Sequence, residues 1–156
     1  SFITPDASCG VWWNGKNYFV SLSFLELTAS KWNNVGRDSR FGFHSFLKAG
    51  YRKPINSRFT FLPFVLFRIP PKGPVSMDLN AVIDYNNRIS FGLGFRNTDA
   101  VNTAIKIRMK GNFSIAYSFD NVISDLARDE FFTHEFSLSF GTCRDKRNSK
   151  TVCPLF

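Results

Sequence analysis

The chain of 156 residues is long enough for one domain with a sizeable core, and no shift in composition marks a second domain. Its 19 Phe residues favour strands over helices, because aromatic rings fit a pleated surface. No apolar run approaches the roughly 20 residues that a transmembrane helix requires, which excludes a helical membrane protein. The Lys and Arg residues behind the net charge of +8 are dispersed along the chain rather than gathered into a stripe, which argues against nucleic acid as a partner.

The first half of the chain carries four predicted strands, in which apolar and polar residues alternate irregularly. They cover residues 7–13, 18–27, 41–51 and 59–68. Pro63 makes the fourth strand the weakest prediction, because a proline inside a central strand removes one donor from the hydrogen-bond ladder.

The second half carries five predicted strands that share a regular alternation. They cover residues 77–85, 89–96, 101–109, 113–120 and 135–141. In the third of these, Val101 and Ile105 point to one side while Lys106 and Arg108 point to the other. The pattern predicts an all-β, antiparallel protein with about nine strands.

The links between the predicted strands broadly alternate in length. Residues 14–16, 86–87 and 111–112 form short links, whereas 28–40, 69–75 and 121–132 form long ones, and 52–57 and 97–99 are intermediate. Bacterial barrels place short turns in the periplasm and longer loops outside. If the last strand ends in the periplasm, the short links are periplasmic. Because bacterial single-chain barrels close with an even number of strands, an odd count predicts an incomplete barrel, whose earlier strands are absent from this sequence or supplied by another fragment.

Alternation alone fits both a soluble β-sandwich and a transmembrane β-barrel. Segments of about ten residues favour the barrel, because tilted transmembrane strands have this length and soluble strands are shorter. In a barrel, aromatic residues near strand ends would form belts at the membrane interfaces. The candidates are Trp12, Trp13, Tyr18, Tyr51, Tyr85 and Phe95.

A barrel with a lipid-facing apolar side would direct several polar residues inward. They are Asp78, Asn80, Asp84, Lys106 and Arg108. Two interpretations are open for them: a polar lumen that passes or holds a solute, and cross-strand ion pairing that fills a narrow interior. The second is the more economical.

The sequence contains no pattern of a catalytic or metal site. His44 and His134 are the only histidines, no nucleophile elbow accompanies them, and no Cys or His cluster has metal-ligand spacing. His134 beside Glu135 is interpreted as fixing a junction between a loop and a strand by hydrogen bonding. We therefore expect neither an enzyme nor a bound cofactor.

The end of the chain combines two cysteines with a basic segment. Cys143 and Cys153 bracket it, and in an oxidising compartment they would close a small loop and leave Cys9 unpaired. The basic residues meet a periplasmic partner or remain solvated, and the sequence does not decide between these. They are Arg144, Lys146, Arg147 and Lys150.

Residues 90–140 resemble the end of proteins of the PorP/SprF family, which belongs to the type IX secretion and gliding machinery of Bacteroidetes. The resemblance rests on a Gly-aromatic-Arg strand end, a turn with Asp-Ala, a Tyr-Ser-aromatic-Asp segment, a Ser-Xaa-Leu loop and a His-Glu pair that opens the last strand. The tail CRDKRNSKTVCPLF also resembles the family's Cys-basic-Cys-Pro-Xaa-Phe ending. The matching positions are Phe95, Arg96, Asp99, Ala100, Ala116, Tyr117, Ser118, Phe119, Asp120, Ser124, Leu126, His134 and Glu135.

The resemblance implies the carboxy-terminal part of an outer-membrane β-barrel, with residues 1–142 in the barrel and 143–156 as a periplasmic basic tail. It implies a scaffold in export or surface anchoring, with secreted or surface cargo proteins, periplasmic lipoprotein components of the machinery and outer-membrane lipid as partners. Structural roles are expected for the motif residues Arg96, Asp99, Tyr117, Asp120, His134 and Glu135. The alternatives are an outer-membrane diffusion porin or small-molecule transporter, and a secreted soluble sandwich that binds ligands.

Overall fold

A computed structural model describes residues 6–28, 31–32, 39–40, 42–97, 100–109, 113–123 and 132–140. This part of the chain contains twelve β-strands and no helix. The strands are β1 (Cys9–Asn14), β2 (Tyr18–Leu25), β3 (Lys31–Trp32), β4 (Ser39–Arg40), β5 (His44–Tyr51), β6 (Lys53–Pro54), β7 (Phe59–Ile69), β8 (Ser76–Tyr85), β9 (Ile89–Arg96), β10 (Ala100–Arg108), β11 (Phe113–Val122) and β12 (Phe132–Phe140).

Ten of the strands form one antiparallel sheet in which neighbours in the sequence are neighbours in space. Its order is β1-β2-β5-β7-β8-β9-β10-β11-β12, with β6 paired to β7, while β3 and β4 form a separate hairpin. β1 and β12 are the two edges of this sheet and do not pair with each other in the described part of the chain. The predicted all-β antiparallel architecture is therefore confirmed, and closure into a barrel stays a prediction.

All nine predicted strands are present, and their ends lie within three residues of the predicted positions. The short strands β3, β4 and β6 were not predicted, because two-residue strands carry no alternation to detect. β3 and β4 lie inside the long link between β2 and β5. The predicted turn at 111–112 lies outside the described residues.

Pro63 lies in the middle of β7 and coincides with a break in the neighbouring strand. Lys53 of β6 pairs with Phe61 in the same register in which Gly50 of β5 pairs with Phe64, so β6 continues β5 after the break. Because proline has no backbone N–H, it cannot complete the ladder at this point. A proline in a central strand is accommodated here by interrupting one of its two partners.

Asn86 and Asn87 form the tight turn that was predicted between β8 and β9. Both have positive φ, 57° and 52°, the left-handed conformation that asparagine tolerates better than most residues. The backbone N–H of Arg88 donates to the carbonyl oxygen of Tyr85 at 2.9 Å across these two residues, and positive φ at both matches the right-handed twist of the flanking strands. The link between the strands therefore has three residues, 86–88, and Tyr85 is opposite Ile89.

The side chains that the sheet buries all lie on one of its faces. Phe19, Leu62, Val82 and Ala100 are buried there together with Asp78, Asp84, Ser90 and Ser114. The opposite face carries almost only apolar side chains, and these are half-buried or exposed. Phe91 is 49% and Leu93 is 50% exposed. We call the two sides the polar face and the apolar face.

Candidate functional site

The charged groups of the polar face form a ladder of ion pairs that begins at Asp78. This carboxylate is 2% exposed and lies directly opposite Arg96 in the register of β8 and β9. Arg96 Nε donates to Asp78 Oδ1 at 3.2 Å, and Arg68 donates to Asp78 Oδ2 from Nη2 at 2.6 Å and from Nε at 3.1 Å. Two guanidinium groups from two flanking strands therefore neutralise one buried carboxylate.

The ladder continues from β9 across β10 to β11. Arg96 Nη2 lies 4.0 Å from Asp120 Oδ2, and the intervening strand places Asn102 opposite Asp120. Charges of alternating sign thus run across five strands, in the order Arg68, Asp78, Arg96 and Asp120. The arrangement ties β7 to β11 by contacts that the backbone ladder does not supply.

A second buried carboxylate lies on the polar face near the Asn86–Asn87 turn. Asp84 is 3% exposed and accepts hydrogen bonds from Ser90 Oγ at 2.7 Å and from the backbone N–H of Asn87 at 2.8 Å. Arg108 Nη1 donates to the carbonyl oxygen of Asn87 at 2.7 Å. Lys106 lies opposite Ser90 on the same face. The polar groups at this end hold the turn against β10.

Gly94 lies under two amide side chains at the centre of the polar face. Asn80 on β8 and Asn102 on β10 are its register partners, and the oxygens of both amides occupy the space that a Cβ at Gly94 would need. The glycines of the FGLGFR segment therefore admit the side chains of adjacent strands, in agreement with the close approach that glycine permits.

An aromatic cluster surrounds Lys48 on the polar face near β1. The rings of Trp12 and Phe19 are stacked with centroids 5.3 Å apart, and Lys48 Nζ lies 4.2 Å from the centroid of the Phe64 ring. Lys48 Nζ is also 5.8 Å from the Phe19 ring and 6.0 Å from the Trp12 ring. Cation–π attraction of this kind stabilises an ammonium group away from bulk water.

This cluster corrects one prediction. Trp12 was expected to join an aromatic belt at the membrane interface, together with its neighbour Trp13. Because successive residues of a strand point to opposite faces, only one of the two can do so. Trp12 is on the polar face against Phe19, and Trp13 is on the apolar face.

His134 and Glu135 also point to opposite faces. His134 Nδ1 is hydrogen-bonded to Tyr117 Oη at 2.8 Å on the apolar face, where the Tyr117 ring also packs against Phe136. Glu135 is on the polar face, where it accepts a hydrogen bond of 3.4 Å from Ser118 Oγ. The two residues tie β12 to β11 separately, rather than acting as a pair.

The motif residues singled out by the sequence fall into three groups. Arg96 and Asp120 belong to the ion-pair ladder, and Tyr117, His134 and Glu135 join the last two strands. Asp99, Cys143 and Cys153 lie outside the described residues. Cys9 is a free, exposed cysteine.

Arg68, Lys48 and Phe64 were missed as members of polar-face clusters. The alternation of β7 is blurred, because Leu62, Phe64 and Leu66 occupy its polar-face positions. Arg68, the one charged residue at these positions, was the one signal in the sequence that this side of β7 belongs to the polar face. This arginine meets Asp78 because β7 and β8 pair with Leu66 opposite Asp78 and Arg68 opposite Ser76, a register that the alternation does not reveal.

None of the segments between residues 6 and 140 that the structure describes forms a helix long and apolar enough to cross a membrane. No group of three or more His, Cys, Asp and Glu side chains capable of holding a metal ion occurs among the same residues.

Comparison with known proteins gave one result. The model of the family described as "Type IX secretion system membrane protein PorP/SprF" matches residues 1–140 of the chain. No curated protein and no solved structure shows significant similarity to it.

Proposed function

The chain belongs to the PorP/SprF family of type IX secretion system membrane proteins, and on that premise we propose that its sheet is part of a transmembrane β-barrel serving as a non-enzymatic scaffold. Members of this family are outer-membrane components of the type IX secretion machinery. In the proposed role, the barrel helps to export cargo proteins or to anchor them at the cell surface.

The observation that carries the proposal is the inverted distribution of polarity between the two faces. Asp78 and Asp84 are buried, whereas Leu93 and Phe91 are about half exposed. A soluble sandwich would bury its apolar face and expose its polar one. An exposed apolar face that extends over nine paired strands is far larger than the patches soluble proteins tolerate, and a lipid bilayer is the environment that suits it.

The link lengths support an orientation for this barrel. The short turns, among them Asn86–Asn87, are proposed to face the periplasm, and the long links to face outward. Secreted or surface cargo would then contact the outer loops, and periplasmic lipoprotein components of the machinery would contact the short-turn end. Further strands are proposed to pair with the edges β1 and β12 and to close the barrel.

The ion-pair ladder favours a scaffold over a diffusion porin. Arg68, Asp78 and Arg96 satisfy one another across the polar face instead of lining an open, hydrated channel. Charges that are paired in this way fill the interior and contribute rigidity. A porin would instead show steady conductance in a planar bilayer, which distinguishes the two functions.

Residues 143–156 are proposed to form a periplasmic tail closed by a Cys143–Cys153 disulfide. The proposal rests on the oxidising character of the periplasm and on the short separation of the two cysteines. Alkylation under non-reducing conditions followed by peptide mass spectrometry tests it. Recovery of the two cysteines in one cross-linked peptide is expected, and alkylation of both as free thiols would contradict it.

The scaffold role is tested by purifying the full-length protein from outer membranes in a mild uncharged detergent and identifying what accompanies it by mass spectrometry. We expect components of the secretion machinery together with large surface proteins. Recovery of the protein alone, combined with conductance in bilayers, would favour the porin. Recovery from the soluble fraction would contradict both membrane functions.

A further inference from the structure

Lys53 is an exception on the apolar face. It lies in β6 opposite Phe61, which is opposite Ile83 on the next strand, and both neighbours are apolar. Among the described residues of the ten-stranded sheet, no other Lys, Arg, Asp or Glu is on this face. Its side chain is exposed. A single cation on a surface that otherwise suits lipid requires an anion or the membrane interface nearby.

A shallow depression lies beside Lys53, further from the short-turn end. Its volume is about 590 Å³. It exists because Ala49 and Pro63 are small, while Tyr51, Val65 and Leu79 stand around them on the same face. Gly50, Phe64 and Asn80, whose side-chain positions belong to the polar face, complete its lining. Tyr51 is the wall nearest to Lys53, two residues before it in the chain.

The short-turn end of the sheet around Lys53 is strongly cationic. Lys16, Arg58 and Arg88 are exposed in its turns, and no ion pair involves them among the described residues. The carboxylate of Asp84, at the same end, is buried and bonded to Ser90. Exposed positive charge at this end is therefore uncompensated by the described strands and turns.

Aromatic side chains mark the level at which these cations lie. Tyr18 is opposite Tyr51, and Phe59 is opposite Tyr85 with ring centroids 4.9 Å apart, all on the apolar face. Rings with one polar end concentrate where hydrocarbon meets headgroups, and long basic side chains reach from there to the phosphates. Lys53 follows this belt directly in the sequence after Tyr51 and Arg52.

We propose that Lys53 and the depression beside it bind an anionic glycerophospholipid of the leaflet at the short-turn end. The Lys53 ammonium pairs with the headgroup phosphate, and one acyl chain lies along the depression formed by Ala49, Tyr51, Pro63 and Val65. The inference rests on the proposed placement of the apolar face in the membrane. It adds a defined lipid site to a surface that would otherwise contact lipid without selectivity.

The test uses the full-length protein in an uncharged detergent, with phosphatidylglycerol as the probe and native mass spectrometry as the readout. We expect the wild type to retain phosphatidylglycerol in preference to phosphatidylcholine. Lys53→Gln should weaken the retention about fivefold, the effect of one basic group near an anionic surface. Lys53→Arg should retain it, and Ala49→Leu should weaken it by filling the depression while leaving Lys53 in place.

Lys72→Gln is the matched control, because it removes the same charge from an exposed position at the opposite end of the sheet. It should leave phosphatidylglycerol retention unchanged. The slower migration of each variant after heating, compared with the unheated sample on a gel, verifies that it was folded. If Lys53→Gln fails this check, Lys53→Met replaces it, because methionine also removes the charge and keeps most of the length of the side chain.

Several results would overturn the proposal. One is equal weakening by Lys53→Gln and Lys72→Gln, and another is a wild type that retains neither lipid. If Lys53→Gln leaves phosphatidylglycerol retention intact but releases an acidic protein that co-purifies with the wild type, the site is a protein contact and the lipid assignment is wrong. Membrane residence of a wild type without retained lipid would sink this inference alone, whereas solubility without detergent would sink the proposed function as well.

Discussion

Asp78 on β8 lies directly opposite Arg96 on β9, and the carboxylate of the first accepts a hydrogen bond of 3.2 Å from Nε of the second. Arg68 on β7, the strand on the other side of β8, also donates to this carboxylate. The pair lies on the polar face near the start of β8 and at the end of β9, and with Arg68 it joins three strands by charge pairing. The loss of protein stability when this pair is removed therefore measures how much charge pairing on the polar face contributes to the fold.

Replacing Asp78 with Asn should destabilise the protein by about 3–5 kcal/mol, because it leaves two guanidinium groups without their buried partner. Reversible urea unfolding in detergent micelles or lipid vesicles measures the change. Asp120→Asn is the control, since Asp120 meets Arg96 only at 4.0 Å and is about one-third exposed; we expect a change of about 1 kcal/mol or less. Equal losses of stability in the two variants would contradict the claim that Asp78 contributes more to the ladder than Asp120.

Gly94→Ala should destabilise the protein by about 1–3 kcal/mol, because the added methyl group meets the amides of Asn80 and Asn102. Gly92→Ala is the matched control, since the nearest atom to its new Cβ would be Val82 Cγ2 at 3.2 Å. It should cost about 1 kcal/mol or less. Combining Gly94→Ala with Asn102→Ala should recover part of the loss. Failure of the double variant to recover any stability would place the strain elsewhere.

Tyr117→Phe should cost about 0.5–1.5 kcal/mol of stability, because it removes the hydroxyl that is hydrogen-bonded to His134 Nδ1. The same substitution at Tyr85, whose ring packs on Phe59, provides the comparison, and we expect a smaller change there. Unfolding by urea under the same conditions measures both. A loss at Tyr117 that is no greater than that at Tyr85, or no measurable loss at all, would contradict a stabilising contribution from the hydrogen bond to β12.

Much of the fold follows from period-2 alternation. Regular alternation from Val101 to Arg108 predicts β10 because a strand turns successive side chains to opposite faces. The turn at Asn86 and Asn87 was equally predictable, since these residues tolerate positive φ. The polar face was predicted as a set of residues, including Asp78 and Asp84, because they share one parity.

The contacts within that face were not predictable from the sequence. Arg68 meets Asp78 only because the link between β7 and β8 sets their register, and link length does not reveal which residues pair. Trp12 was assigned to the wrong face because it was grouped with its aromatic neighbour Trp13, although adjacent residues of a strand point to opposite faces. Lys53 lies in a strand of two residues, too short for any periodic signal.

Leu93→Arg should destabilise the protein by about 2–4 kcal/mol in lipid vesicles, the cost of an arginine on the lipid side of a barrel strand near the bilayer centre. Ser137→Arg introduces the same group on the polar face and should have a much smaller effect. In a water-soluble protein, Leu93 at 50% exposure would accept arginine with a change of about 0.5 kcal/mol or less. That small change would contradict contact with lipid.

The central claim is that the apolar face lies against lipid while the polar face is turned inward, and Trp12 and Trp13 allow a direct test because they point to opposite faces. Two variants of the full-length protein, each retaining one of these as its single tryptophan with the others replaced by Phe, are folded into vesicles that contain brominated lipid. Bromine quenches tryptophan fluorescence on contact, so we expect strong quenching of Trp13 and much weaker quenching of Trp12. Equal quenching of the two, or quenching of both only by acrylamide in the water phase, would contradict the account.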